Sequence, residues 1–68
     1  MKERLAEIIR QWMFDNDMTQ AETAVFLETR QPRVSLIVNK KLDSISLEAL
    51  IAYVELLGYK IDLTVEVK

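Results

Sequence analysis

Apolar side chains recur on one helical face at the start of the chain. Leu5, Ile8, Ile9, Trp12 and Met13 are spaced i, i+3, i+4, i+7 and i+8, the stripe of an amphipathic helix. Lys2, Glu3, Arg4, Glu7 and Arg10 lie mostly off it, and the pattern predicts a first helix over residues 2–14. Asp15, Asn16 and Asp17 follow, residue types that hydrogen-bond their own backbone in turns. Thr19 with Glu22 three positions on matches a capping box, so a second helix is predicted over residues 19–27. Glu28, Thr29 and Arg30 bring no apolar side chain. Pro32 then stands in a first helical turn, where a missing N–H is harmless, and a short third helix is predicted over residues 31–38. After a polar connection, Ser46 can cap a fourth helix over residues 46–57. Ile45 and Leu50 form its hydrophobic staple, and Leu47, Leu50, Ile51, Val54 and Leu57 its core stripe. Gly58, the only glycine, sits where a helix end takes left-handed backbone.

From Tyr59 the period changes to two. Tyr59, Ile61, Leu63, Val65 and Val67 alternate with Lys60, Asp62, Thr64, Glu66 and Lys68, which predicts a β-strand over residues 59–67. A single strand cannot satisfy its own N–H and C=O groups, and no earlier segment has strand periodicity. Its partner is therefore expected on another chain, most simply a second copy paired about a two-fold axis through Tyr59, Ile61, Leu63, Val65 and Val67. A frayed terminus and addition to the sheet edge of a different protein stay open as alternatives. The expected fold class is mainly all-α: one domain over residues 1–68, four helices and a dimerising tail strand.

Composition narrows the chemistry. With 68 residues there is room for one small core, and an apolar content of 50% beside 29% charged residues supports folding. The absence of cysteine and histidine removes thiol chemistry, disulfides, the usual zinc ligands and the commonest general base. Glu3 with Glu7, and Asp15 with Asp17, read as surface and turn residues, so neither an enzyme nor a metal or cofactor is expected. Apolar runs such as residues 24–27 are far shorter than a bilayer requires, and no secretion signal opens the chain. A cytoplasmic location without membrane contact is expected. Trp12, Met13, Met18 and Phe26 fall at or beside core stripes and are expected inside.

The net charge of −2 conceals an uneven distribution. Residues 29–42 hold Arg30, Arg33, Lys40 and Lys41 and no acid, whereas the other 54 residues carry five cations and eleven acids. That positive segment coincides with the two short helices, separated by three polar residues, whose Ala24, Leu27, Val34 and Ile37 suit a steep helix crossing. This is the spacing of a helix-turn-helix. With Val34 and Ile37 inward, Pro32, Arg33, Leu36 and Asn39 point outward, Ser35 lies on the flank and Gln31 at the N-terminal end. Gln31, Pro32, Arg33, Ser35 and Leu36 are the candidate base-reading residues. Gln and Arg make bidentate bonds to adenine and guanine edges, Ser suits either strand, and Leu can meet a thymine methyl. Thr19, Gln20, Arg30, Asn39, Lys40 and Lys41 are the candidate phosphate contacts.

Met18, Thr19, Gln20, Ala21 and Glu22, followed by Gln31, Pro32, Arg33, Val34 and Ser35, resemble the XRE (Cro/repressor-type) helix-turn-helix, a four-to-five-helix bundle of the lambda-repressor kind. Lys41 and Leu42 before Ser46 and Leu47, then Leu57, Gly58 and Tyr59 and the alternating tail, are similar to the small HigA-type antitoxins. The resemblance implies a homodimer that binds an inverted-repeat operator, represses its own operon and neutralises a RelE/HigB-like toxin. A stand-alone or prophage-type repressor, or a module acting mainly on a protein partner, are the alternatives. Three positions depart from the family pattern: Glu28 and Lys40 stand where glycine is usual, and Arg30 where a capping serine or threonine is usual. Arg30 opposes the helix dipole and forfeits a cap worth about 1 kcal/mol, which a nearby phosphate would explain.

Overall fold

The computed structural model describes residues 1–61. They form four helices: α1 (Lys2–Asp15), α2 (Gln20–Phe26), α3 (Gln31–Val38) and α4 (Leu47–Leu56). The helices begin where the sequence places their caps. Thr19 Oγ1 accepts from the Glu22 N–H at 3.1 Å while the Glu22 carboxylate accepts from the Thr19 N–H at 2.9 Å, closing the capping box of α2. Ser46 Oγ accepts from the Ala49 N–H and caps α4, and the staple residues Ile45 and Leu50 are both buried. Arg30 precedes α3 without a side-chain cap.

All four helices end in the same way. The N–H groups of Asp17, Glu28, Lys40 and Gly58 bond to Phe14, Val25, Ile37 and Glu55 carbonyls, and those of Met18, Thr29, Lys41 and Tyr59 reach back to Met13, Ala24, Leu36 and Val54. This paired pattern is the Schellman motif, which needs left-handed backbone at its penultimate residue. Gly58 adopts it at φ 96°, as its position predicts, but Asp17, Glu28 and Lys40 adopt it with a Cβ, at φ 52°, 57° and 58°. The three short connections are thus built by charged residues in a glycine conformation.

Leu5, Ala6 and Ile9 of α1 meet Leu50 and Val54 of α4, with Leu27, Ile37, Leu42 and Ile45 completing one core. α2 packs on α3, and α1 on both α3 and α4. Ala24 and Val34 are buried, as a close crossing of α2 and α3 requires. Thr23 is fully buried beside them, its hydroxyl donating to the Thr19 carbonyl at 2.8 Å. Ile9, Leu50 and Val54 have no exposed surface, and truncating any of the larger ones to alanine costs about 2–5 kcal/mol.

The tail strand finds no support among the described residues, and one core expectation changes. Tyr59 and Ile61 lie in irregular backbone; Tyr59 is exposed, and Ile61 packs partly on the helical core. Leu63, Val65 and Val67 lie outside the described residues. Phe26 is half exposed, not internal, and packs tilted by 50° against the part-buried Trp12, with 4.9 Å between ring centroids. The α2–α3 turn follows directly, so the last turn of α2 commits Leu27 to the core and leaves Phe26 at its edge.

Candidate nucleic-acid interface

Helix α3 has two distinct sides. Val34 and Ile37 are completely buried and fix it on the bundle. Gln31, Pro32 and Asn39 are exposed, while Arg33, Ser35 and Leu36 are half buried on the flanks. Gln31 stands in the first turn, and among the described residues its carboxamide makes no hydrogen bond, so both its donor and acceptor are available. Asn39 donates to the Ser35 carbonyl at 2.9 Å and lies 3.4 Å from the Ser35 hydroxyl, leaving its amide oxygen as the acceptor it presents. Leu36 leans on the core and offers less surface than a fully outward side chain. The outer row is therefore narrower than the sequence pattern indicates: Gln31 and Pro32 at one end, Asn39 at the other.

Arg33 occupies a flank facing α4. Its Nη1 donates to the Tyr53 hydroxyl at 3.5 Å, and Tyr53 donates in turn to Thr29 Oγ1 at 3.5 Å. Neither Tyr53 nor Thr29 stands out in the sequence. Tyr53 lies one position before Val54 of the core stripe, and only the crossing of α4 beside the α2–α3 turn brings it to Arg33.

The cations differ in how far they are compensated. Lys40 Nζ lies 3.1 Å from Glu7 Oε2, which also takes Arg10 at 3.2 Å. Lys40, by hydrogen bond and charge, holds the Glu7 carboxyl below the ordinary carboxylate value, with Arg10 adding to the effect. The acid-free stretch of sequence thus acquires an acid from α1 at its C-terminal end. Arg30, Arg33 and Lys41 form no salt bridge among the described residues. Thr19 and Gln20 lie at the start of α2, where the Thr19 acceptor and N–H are both engaged by Glu22. The backbone bond from Thr19 is the main reason the Glu22 carboxyl lies below its usual value. Only the hydroxyl proton of Thr19 remains to meet a phosphate, and a carboxylate stands beside it.

Among the described residues no group of acidic side chains is placed to hold a metal ion, and no helix is long and apolar enough to cross a membrane. Neither a curated protein nor a solved structure matches the chain. The profile of a family described as a helix-turn-helix domain matches residues 1–66, which takes in all four helices. With α2, the four residues 27–30 and the half-exposed α3 in that arrangement, the chain belongs to this helix-turn-helix domain family.

Proposed function

We propose that the protein is a sequence-specific DNA-binding repressor, acting as a homodimer and by binding alone. The observation that carries this reading is α3 itself: anchored by Val34 and Ile37, it leaves Gln31, Pro32 and Asn39 exposed within a segment of four cations and no acid. In the major groove, Gln31, Pro32, Ser35 and Leu36 would meet base edges. Arg33 keeps donors for a base edge or a phosphate. Arg30, Asn39, Lys41 and the N-terminal end of α2, with Thr19 and Gln20, would lie along the backbone. Lys40 joins them once it leaves Glu7. Dimerisation through the alternating tail, from Tyr59 to Val67, would set two half-sites about one helical turn, ~34 Å, apart. Footprinting on the DNA upstream of the gene tests this directly. Two protected half-sites in inverted repeat at that spacing are expected, and uniform or absent protection would refute it.

Within this reading the resemblance to HigA-type antitoxins favours an autoregulator that also neutralises a RelE/HigB-like toxin. A protein partner would also find apolar side chains to cover: Phe14 and Val25 are 83% and 80% exposed, and Phe26 48%. Co-expression with the product of the adjacent reading frame distinguishes the antitoxin from a stand-alone repressor. The antitoxin should co-purify with it in fixed stoichiometry and relieve its growth inhibition.

A further inference from the structure

We infer that the depression between the α2–α3 turn and α4 is a seat for one phosphate group of the DNA backbone. Arg33, Arg30, Thr29 and Tyr53 hold it, and Arg33 acts there rather than on a base edge. The identity of the phosphate rests on the DNA-binding reading above. The depression is open, about 710 Å³, and is walled on its apolar side by Pro32 and Leu36. Arg30 and Arg33 line it, and among the described residues neither forms a salt bridge, in contrast to Lys40 at the other end of α3.

The hydrogen bonds have a direction. Arg33 donates to Tyr53 and Tyr53 donates to Thr29, so the chain ends on the Thr29 hydroxyl proton, which has no acceptor among the described residues. Arg33 uses one of five N–H donors in this contact. Both separations, 3.5 Å, are long for hydrogen bonds. A phosphate oxygen offers Arg33 a charge-assisted bond of about 2.7–2.9 Å instead, while Tyr53 keeps the guanidinium on the α4 flank. Glu28 also lines the depression without pairing with either arginine. Its carboxylate weakens the positive field, so Glu28→Gln should tighten binding of the anion.

The test compares a duplex from upstream of the gene with a shuffled duplex over a series of salt concentrations. Arg33→Gln should weaken both by the same factor and reduce the magnitude of the log–log salt slope by about 0.9. Tyr53→Phe, which keeps the packed ring, should weaken both about 2- to 10-fold and leave the slope unchanged. If Arg33→Gln weakens only the upstream duplex at constant slope, Arg33 reads a base and the inference is overturned. Should the protein bind neither duplex, titration with inorganic phosphate at fixed ionic strength, followed by NMR, separates the two failures. Saturable shifts confined to Thr29, Arg30, Arg33 and Tyr53, and abolished by Arg33→Gln, keep the phosphate seat and discard the DNA reading. Absent shifts, or shifts shared equally with Arg4 and Lys41, overturn the seat itself.

Discussion

Asp17, Glu28 and Lys40 each hold left-handed backbone that a Cβ disfavours, by roughly 1–2 kcal/mol for an ordinary residue and less for aspartate. Glycine relieves that strain but gains freedom in the unfolded chain, so part of the benefit is offset. Glu28→Gly should therefore stabilise the protein by about 1 kcal/mol, raising Tm by about 4–8 °C in a domain of this size. A melting curve that moves down would show that the side chain contributes something beyond its backbone. Lys40→Gly should raise Tm similarly while weakening DNA binding, because the same substitution removes a cation. At the opposite end of a helix, Thr19→Ala removes half of the α2 capping box and should cost about 1 kcal/mol. Glu22 links that box to pH. Its folded carboxyl lies below the ordinary value of 4.5, so its contribution is complete above that value and is lost as pH falls through the lowered one. Glu22→Gln keeps the acceptor without titrating, and the acid-induced loss of stability measured by thermal unfolding should be smaller in this variant.

Helices were legible wherever a local rule set their limits. The Thr19–Glu22 box, Pro32 in the first turn, the Ser46 cap and Gly58 after α4 all act within a few residues, and each boundary follows from them. Contacts between elements were not legible in that way. Tyr53 reaches Arg33 across 20 positions and Thr29 across 24, Glu7 of α1 reaches Lys40, and Phe26 lies at the bundle edge because the turn starts beside it. These depend on crossing angles, which periodicity does not encode. The two sides of α3 were legible in outline: Val34 and Ile37 had to be inward, but the leaning of Leu36 onto the core was not. From this division, Gln31→Ala should lower the preference at one base pair by about 1–3 kcal/mol and leave the salt slope alone. Lys41→Ala should weaken every sequence alike and flatten the slope by about one unit. Binding isotherms on cognate and shuffled duplexes separate them, and identical behaviour of the two variants would remove the distinction.

The molecule as a whole is acidic, yet its positive charge is gathered around one helix-turn-helix. On the proposed function, long-range repulsion of DNA by the remaining surface would limit non-specific affinity, while the cations at α3 would concentrate attraction where bases are read. Glu7, which pairs with Lys40 at 3.1 Å, would temper that attraction. Glu7→Gln should tighten binding to cognate and shuffled DNA together, and an unchanged affinity would place Lys40 away from the backbone. The tail tests the dimer: Leu63→Lys with Val65→Lys should shift the sedimentation mass from two chains towards one. The most direct measurement is fluorescence anisotropy of the unaltered protein against the upstream duplex and a shuffled duplex of equal composition, at several salt concentrations. The expected result is a preference on the order of 10³-fold or more for the upstream duplex, with both affinities falling steeply with salt. Equal affinity for the two duplexes throughout, or no binding even in dilute buffer, would rule out sequence-specific recognition by α3.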